Sequence, residues 1–402
     1  MSPLRRTTST HTLELTKTNN TREVPTPSAI TMSPKHNFPS LRRKLIKRAW
    51  WPLGSVNGRR SERGIRYVHR VRDPLTLPKA HLHVHLESTI RWATLREIGA
   101  ANGVHVPGDV GAFGGFAAFF AQNDLVRGCL RRPGDFRRIA YEFCEDEAAQ
   151  GTRYAEVSFT AAGHGERLGD LDMPLTAVLE GLEAGQAAFG LECRLILDHS
   201  RRRSVDRAWR TLDLAQRHDA VVAVGLAGDE AHPGGPFDPV FAAARDSGLH
   251  VVHHAGEGEG AASVRHALGP GRTERLGHGI RVLDDPDLVA EVRERRIPLE
   301  VCPSSNVALG FAPTLGDHPL PRLLDAGLIV TLNSDIPTLI GAPLATEYAR
   351  VRKTFGYDDQ TLAELARASV DASFAPAATK TRLHDEITAW LTVPPPPSPS
   401  TR

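Results

Sequence analysis

The chain has 402 residues, enough for one large domain of roughly 300 residues with tails. Its hydrophobic fraction of 41% and charged fraction of 24% are ordinary for a globular protein, and no apolar run reaches the roughly 18 residues of a membrane span. Residues 1–72 contain 16 Lys and Arg against 3 Asp and Glu, so the net charge of +2 leaves about −11 on residues 73–402. An acidic body argues against a nucleic-acid backbone as its main ligand.

Residues 1–72 are rich in Ser, Thr, Asn and Arg without sustained periodicity, so we predict a basic, disordered extension. Within it, the basic amphipathic segment Leu41–Trp51 is compatible with a transit peptide or with a membrane-surface or nucleic-acid contact. We favour a simple upstream extension, such as one caused by a misplaced start codon. No apolar segment with a small-residue cleavage site follows, so secretion is not expected.

Residues 73–393 alternate short apolar runs with helix-like patterns and are predicted to form one domain. Eight strands are predicted, at Pro78–Leu86, Arg153–Phe159, Cys193–Leu197, Val221–Leu226, His250–His254, Glu274–His278, Pro298–Cys302 and Leu328–Asn333. Helices are predicted at Ile90–Ala101, Gly134–Gln150, Leu175–Gly190, Ser204–His218, Pro239–Gly248, Ala261–Leu268 and Asp285–Arg296. Extra helices are predicted at Ala112–Ala121, Ala345–Lys353, Asp359–Ser373 and Thr381–Thr392. The Pro-rich residues 394–402 are expected to be a disordered tail.

Eight strands that alternate with helices over this length predict an α/β protein of the (β/α)₈ TIM-barrel type. The extra helices would then lie outside the barrel or over its mouth. A doubly wound sheet is the alternative, but it usually has fewer strands and a Gly-rich phosphate turn. No GxGxxG motif follows the first predicted strand, which favours the barrel.

Four cysteines are spread along this body, at Cys129, Cys144, Cys193 and Cys302. None of them forms a CxxC pair, and each has apolar or helical neighbours in the sequence. We therefore predict reduced, buried thiols in a cytoplasmic protein.

Metal-ligating residue types stand at the ends of four predicted strands. His83 and His85 end the first strand, His254 the fifth and His278 the sixth, and Asp335 follows the eighth. Active groups of such barrels lie at the carboxyl ends of the strands. We therefore expect these five side chains to share the mouth of the barrel.

Side chains alternate along a strand, so His83 and His85 face the same side and can hold one ion. His81 has the same parity but lies about 7 Å further down the strand, and we interpret it as a core or supporting residue. His-x-His alone is a weak signal, but His254 and Asp335 complete a set of three imidazoles and a carboxylate that suits catalytic zinc. The alternative, satisfied core histidines, would bury several polar groups at a cost.

Two further side chains remain for catalysis. Glu257, three residues after His254, is a candidate general acid or base, and His278 is a candidate base or electrostatic partner. Zinc would lower the pKa of a bound water towards ~7 and so supply a nucleophile at neutral pH. These groups together suit hydrolytic attack on a C=N carbon with ammonia as the leaving group.

Seven stretches carry a family resemblance, in order: LPKAHLHVHLEST, YAEVSF, VGLAGDE, HHAGEGEG, ERLGHGIRV, EVCPSSNVALG and VTLNSDIP. Between Pro78 and Glu347 the chain resembles the adenosine deaminase family of the amidohydrolase superfamily, in detail its bacterial members. The resemblance implies one Zn²⁺ per chain, held by His83, His85, His254 and Asp335. It also implies that Glu257 gives a proton to purine N1 and that His278 orients or deprotonates the zinc water.

The resemblance further implies how a purine nucleoside, the expected small-molecule partner, is bound. The backbone N–H of Gly228 would contact purine N3, and Glu87 would contact a sugar hydroxyl, with His85 beside it. The apolar segment Phe113–Phe120 matches the part of the family that caps the substrate. Simple helix packing is an equally good interpretation of that segment.

Three positions depart from the family pattern. Ile336 replaces a second Asp that binds purine N7, and the loss of a buried polar partner costs about 1–3 kcal/mol, enough to change substrate preference. Ser88 replaces a Gly, and we expect its side chain to narrow the sugar subsite. Ser158 replaces a common Arg, although the neighbouring Glu156 is retained. None of these changes removes a zinc ligand or Glu257.

Three hypotheses follow. The leading one is zinc-dependent hydrolysis of the 6-amino group of adenosine, as in purine salvage. The second is deamination of another aminopurine, which Ile336 favours: free adenine, an N6- or C2-modified adenine, a futalosine-type nucleoside or a secondary-metabolite nucleoside. The third is a degenerate barrel that binds a nucleoside as a sensor or scaffold. The retained ligands, with Glu257 and His278, argue against the third.

Overall fold

The computed structural model of the chain describes residues 71–108 and 115–392. The predictions for the basic extension, apart from Val71 and Arg72, and for the Pro-rich tail lie outside the described residues. The same holds for the start of the predicted capping segment, residues 113 and 114. No helix of the described part is long and apolar enough to cross a membrane.

Eight parallel strands form one sheet in which each strand pairs with the next along the chain. The strands are β1 Lys79–His81, β2 Thr152–Phe159, β3 Glu192–Ser200, β4 Val221–Ala227, β5 His250–Ala255, β6 Arg275–His278, β7 Leu299–Val301 and β8 Val330–Leu332. Helices alternate with the strands, so the predicted (β/α)₈ TIM barrel is confirmed.

Fifteen α-helices are found in the described residues. They are α1 Trp92–Ala101, α2 Phe116–Cys129, α3 Pro133–Ala149, α4 Ala161–Leu168, α5 Met173–Phe189, α6 Val205–Gln216, α7 Asp238–Asp246, α8 Ala261–Leu268, α9 Pro286–Glu294, α10 Pro303–Ala308, α11 Leu320–Asp325, α12 Pro337–Ile340, α13 Leu344–Phe355, α14 Asp359–Ala372 and α15 Ala377–Thr392. Side-chain caps fix several of their first turns, as when the Ser204 hydroxyl accepts from the N–H of Arg207 at α6.

The first strand is shorter than predicted. Its ladder with β2 ends at His81, and beyond it the described chain continues the β-pairing as isolated bridges from Val84 to Asp335 and from His85 to Ser158. The prediction of a strand up to Leu86 was therefore wrong in extent. The chain still runs along the barrel wall, because these bridges continue the parallel pairing.

The seam between β8 and β1 closes at the residues with metal-ligating side chains. The N–H of His85 donates to the carbonyl of Asp335 (2.9 Å), and the N–H of Asp335 donates to the carbonyl of His83 (2.9 Å). Below them, the N–H of Leu82 donates to the Asn333 side chain (2.9 Å). Main-chain bonds that close the barrel thus also fix the relative positions of His83, His85 and Asp335.

The apolar core lies mainly between the sheet and the helices. One cluster surrounds β2 to β5 with α3, α5 and α6, and a second surrounds β6 to β8 with α9, α13, α14 and α15. Each fully buried Leu or Phe in these clusters contributes about 1.5–3 kcal/mol. The four cysteines are buried and free, as predicted.

Candidate metal centre and active site

The structure brings His83, His85, His254 and Asp335 together at the carboxyl ends of the strands. One donor atom from each of the four lies within 4.8 Å of the others. His85 Nε2 is 3.2 Å from His254 Nε2 and 3.3 Å from Asp335 Oδ1, and His83 Nε2 is 3.6 Å from the same oxygen. These are the four residues that the sequence indicated as ligands. His81 lies apart from them and instead contacts Glu147 and Ser334.

The donor set has the chemistry of a site for a divalent cation. His83 Nε2 is buried and has no hydrogen-bond partner among the described residues. Two imidazole nitrogens and a carboxylate oxygen converge near it, an arrangement that is costly unless something binds between them. Imidazole nitrogens with one carboxylate oxygen are a common tetrahedral set for a catalytic metal. The residues present therefore fit a divalent metal ion.

A buried polar network contacts His83 at Nδ1, the ring nitrogen that does not face the donor set. His83 Nδ1 is 2.8 Å from Glu300 Oε2, the other Glu300 oxygen accepts from Arg275 Nε (2.6 Å), and Arg275 Nη2 donates to Glu156 (2.6 Å). Each of Glu156, Arg275 and Glu300 is 1% exposed or less. Burial raises the pKa of Glu300, but Arg275 and His83 together bring that pKa below its ordinary value. The ionised Glu300 fixes the tautomer of His83 so that Nε2 faces the donor set.

Glu257 and His278 lie beside the donor set. Glu257 Oε1 accepts from Asn306 Nδ2 (3.1 Å) and is 3.4 Å from His278 Nδ1. Burial, with the nearby carboxylates of Asp335 and Glu230, raises the pKa of Glu257 well above its ordinary value. Burial, with a further contribution from His83, lowers the pKa of His278 to about 3. These two pKa shifts favour a protonated carboxyl beside a neutral imidazole.

His278 and Asp335 have unusual backbone conformations. His278 (φ +62°) and Asp335 (φ +59°) are among four non-glycine residues with positive φ in the described parts of the chain. Such conformations cost about 1–3 kcal/mol and persist where surrounding contacts enforce them. His278 is the last residue of β6 and Asp335 follows β8, so each unusual conformation occurs where a strand ends at the metal site.

The turn that carries Glu257 is held by Glu230, which follows β4. One oxygen of Glu230 accepts from the N–H of Glu257 (2.8 Å) and Gly258 (3.2 Å), and the other accepts from Gly256 (2.9 Å) and from the hydroxyl of Ser263 (2.6 Å). Three consecutive main-chain N–H groups thus bind one carboxylate. The interpretation from sequence missed this residue, although it lies in the VGLAGDE stretch.

A cavity lies over the donor set. Its lining comprises His85, Glu87, Ser88, Phe119, Asn123, Asp124, Arg127, Thr160, Asp198, Ser200, Arg202, Arg203, Ala227, Gly228, His254, Glu257, His278, Leu309 and Asp335. Gly228 has φ +94°, a left-handed conformation that favours glycine. The predicted substrate-contacting residues Glu87 and Gly228 therefore line one cavity with Glu257 and with three of the four donors, His85, His254 and Asp335.

Glu87 is buried and already has partners in the protein. Its Oε1 accepts from the N–H and the hydroxyl of Thr160 and lies 3.2 Å from His164 Nε2. Burial alone would raise the pKa of Glu87, but the hydrogen bonds from His164 and Thr160 and the nearby Arg127 lower it to about 2. Glu87 therefore places a fixed negative charge at the cavity.

Asp198 is a buried carboxylate of the cavity that the sequence did not indicate. Its Oδ2 lies 3.3 Å from His85 Nδ1, near the end of β3. The predicted third strand ended at Leu197, whereas β3 continues to Ser200 and carries Asp198 on the barrel wall. The polar run Asp-His-Ser after an apolar strand was the available signal, since functional groups of barrels occupy such positions.

The residues that depart from the family pattern have different surroundings. Ile336 is fully buried and packs with Leu309 and Leu339, and of these three only Leu309 lines the cavity. Ser88 is buried on the cavity lining, next to Glu87. Within the predicted capping segment, Phe119 of α2 also lines the cavity.

Comparison with known proteins identifies relatives over most of the chain. The family model described as adenosine deaminase matches residues 78–390. The chain is 37% identical to aminodeoxyfutalosine deaminase of Streptomyces coelicolor, over 90% of this chain and 100% of that protein. It is 38% identical to adenine deaminase of the same organism, over 75% of this chain and 91% of that protein.

Solved structures show the same architecture. Adenine deaminase from Arthrobacter aurescens matches with a TM-score of 0.75 and 31% identity, covering 78% of this chain and 99% of that one. An amidohydrolase from Burkholderia ambifaria with bound zinc matches with a TM-score of 0.72 and 26% identity, covering 79% of this chain and 92% of that one. The Arabidopsis protein ADAL complexed with GMP also matches with a TM-score of 0.72 and 26% identity, covering 78% of this chain and 97% of that one.

Proposed function

The chain belongs to the adenosine deaminase family, hydrolases that act on C–N bonds of cyclic amidines, and we propose that it removes the 6-amino group of an adenine nucleoside as ammonia. Adenosine is the reference substrate. We further propose zinc as the metal, one ion per chain, held by His83, His85, His254 and Asp335. The observation that supports this most directly is that His83, His85, His254 and Asp335 converge, and that the last three of them line one cavity together with Glu257.

When bound, zinc would supply a water molecule acidified towards neutral pH as the nucleophile. His278, kept neutral by burial, orients the attacking water and accepts its proton. Glu257, kept protonated by burial, donates a proton to purine N1 as C6 is attacked, and Asn306 holds its carboxyl in place. The C6–N6 bond then breaks and ammonia leaves, so adenine and water give hypoxanthine and ammonia.

Substrate contacts complete the proposal. The main-chain N–H of Gly228 binds purine N3, and Glu87, with His85 beside it, binds a sugar hydroxyl. Phe119 packs against the bound substrate from α2. The Arabidopsis relative was solved with GMP, a nucleotide, which supports a substrate that carries a sugar in addition to the base. The buried free thiols support a reducing, cytoplasmic location.

Ammonia release from a panel of aminopurines tests the proposed function. The panel comprises adenine, adenosine, a C2-modified adenosine and aminodeoxyfutalosine, which would release ammonia, and N6-methyladenosine, which would release methylamine and is assayed for that product. We expect release from at least one nucleoside, with loss of the adenine ultraviolet absorbance. Preference for free adenine would instead support the second hypothesis, and binding of every compound without any release would support the third.

Metal removal should abolish activity. The purified protein should contain about one zinc per chain, and a chelator should reduce ammonia release to background until zinc is restored. Because a bound metal stabilises only the folded state, the thermal midpoint should fall on chelation and recover with zinc. His85→Ala should bind less than one equivalent of metal, whereas His105→Ala, at an exposed histidine outside the donor set, should bind one. A metal-free protein with full activity would contradict the proposal.

Glu230→Gln should lower kcat without loss of metal. An amide can accept some of the hydrogen bonds of Glu230, but it loses the charge that makes them strong, and hydrogen bonds to charged groups contribute about 1.5–3 kcal/mol. We expect kcat to fall about tenfold because Glu257 is then less precisely placed. Steady-state kinetics with zinc analysis measures this, and Asp229→Asn at the neighbouring residue is the control. Unchanged kcat in Glu230→Gln would show that the turn keeps its geometry without the carboxylate.

A further inference from the structure

Arginines line the part of the cavity contributed by α2 and by the turn after β3. Arg127 is half-buried in α2, and Arg203 is exposed on the turn that follows Ser200. Within the described ranges of the chain, neither guanidinium makes a hydrogen bond or an ion pair with a protein group. Two cations therefore border the substrate cavity with their donors available to a ligand.

The surroundings of Arg127 are unfavourable for a cation without a partner. Burial lowers the pKa of Arg127, and Arg203 and Arg207 lower it further, while Glu87 and Asp124 act in the opposite direction. Neither carboxylate is close enough to form an ion pair with it. A partly desolvated charge is costly unless it is compensated, and an anionic ligand would compensate this one.

The local backbone leaves space for this guanidinium. A Cβ atom placed on Gly163 of α4 would lie 2.5 Å from Arg127 Nη2, so a larger residue there would displace the side chain. Glycine inside a helix is destabilising by roughly 1 kcal/mol relative to alanine. Gly163 is therefore a poor helix former at a position of α4 where a side chain would collide with the Arg127 guanidinium.

We propose that Arg127 and Arg203 form an anion subsite that binds a phosphate or carboxylate group carried on the sugar side of the substrate. This inference rests on the proposed function, because the sugar side is defined by the adenine ring lying over the donor set. Guanidinium groups bind planar carboxylates and phosphates through two parallel hydrogen bonds. Glu87 and Asp198 border the same cavity as the two arginines.

The test compares charged and neutral nucleosides on the zinc-loaded full-length enzyme. The substrates are adenosine, adenosine 5′-monophosphate and adenosine 5′-carboxylate, and the readout is kcat/KM from ammonia release. We expect at least one charged nucleoside to exceed adenosine. Arg127→Gln and Arg203→Gln should each lower kcat/KM for that nucleoside about tenfold more than for adenosine, since each removes a charge-assisted hydrogen bond. If kcat/KM falls selectively for the 5′-monophosphate, the subsite binds phosphate; if it falls selectively for the 5′-carboxylate, the subsite binds carboxylate.

Controls separate this inference from the proposed function and from misfolding. Arg295→Gln makes the same change at an exposed arginine of α9's C-terminus and should leave the preference between substrates unchanged. Arg203 is exposed, so its variant should fold even if Arg127→Gln does not. Equal losses on charged and neutral substrates, or preference for adenosine in every protein, would overturn the anion subsite and leave deamination standing.

A second readout does not require turnover. If no aminopurine releases ammonia, the proposed function fails, and the subsite is then judged by equilibrium binding. Inosine 5′-monophosphate should bind the unmodified protein about tenfold more tightly than inosine, and this difference should shrink in Arg203→Gln. Equal affinities for the two compounds would overturn the inference.

Discussion

Replacing Glu257 with Gln should reduce turnover by about 10²–10⁴-fold, the range that a positioned general acid or base contributes. The amide has nearly the same shape and can still accept from Asn306, but it has no acidic proton to deliver to the purine ring. Burial raises the pKa of the Glu257 carboxyl well above its ordinary value, which favours the protonated form that the proposed role requires. Steady-state ammonia release measures the loss.

Metal content is the readout that distinguishes a proton donor from a metal ligand. Glu257 is not one of the four converging donors, so Glu257→Gln should retain about one zinc per chain. Glu259→Gln is the matched control, because Glu259 lies on the same turn and is exposed. Full activity in Glu257→Gln would refute the proton-transfer role, and loss of zinc would reassign this residue to the metal centre.

The barrel and the donor set could be predicted from the sequence because both depend on local order. Apolar runs that alternate with helical patterns define the strands, and the carboxyl ends of parallel barrel strands meet at one mouth. His254 and His278 lie in β5 and β6, and Asp335 follows β8, as predicted. The extent of the first strand was not predictable, because the ladder ends at His81 while the apolar pattern continues.

The supporting residues could not be predicted in the same way because their partners are distant in sequence. Glu300 meets His83 across 217 residues, and Glu230 meets the N–H of Glu257 across 27. A single sequence shows residue types and spacing but not which carboxylate faces which imidazole or main-chain turn. Helix α4 was missed for a different reason, since its two glycines weaken the helical pattern.

Arg275→Met should lower the free energy of unfolding by about 3–5 kcal/mol, the usual cost of breaking a buried ion pair by removing one partner. Arg275 is 1% exposed and lies between the carboxylates of Glu156 and Glu300, which would then be buried without a cation. Denaturant unfolding of the zinc-loaded protein measures the loss. Arg295→Met, at an exposed arginine, is the control and should change stability by less than about 0.5 kcal/mol.

The pH dependence of this loss identifies its cause. Without Arg275, the folded-state pKa of Glu300 should rise above that of the unfolded chain, because burial is no longer offset by the guanidinium. The folded variant then binds more protons than the unfolded one, so its deficit should be smaller near pH 5 than near pH 8. Adding Glu156→Gln and Glu300→Gln to Arg275→Met should recover part of the stability. A deficit that is constant with pH and unaffected by those changes would mean that lost packing, rather than unpaired charge, is responsible.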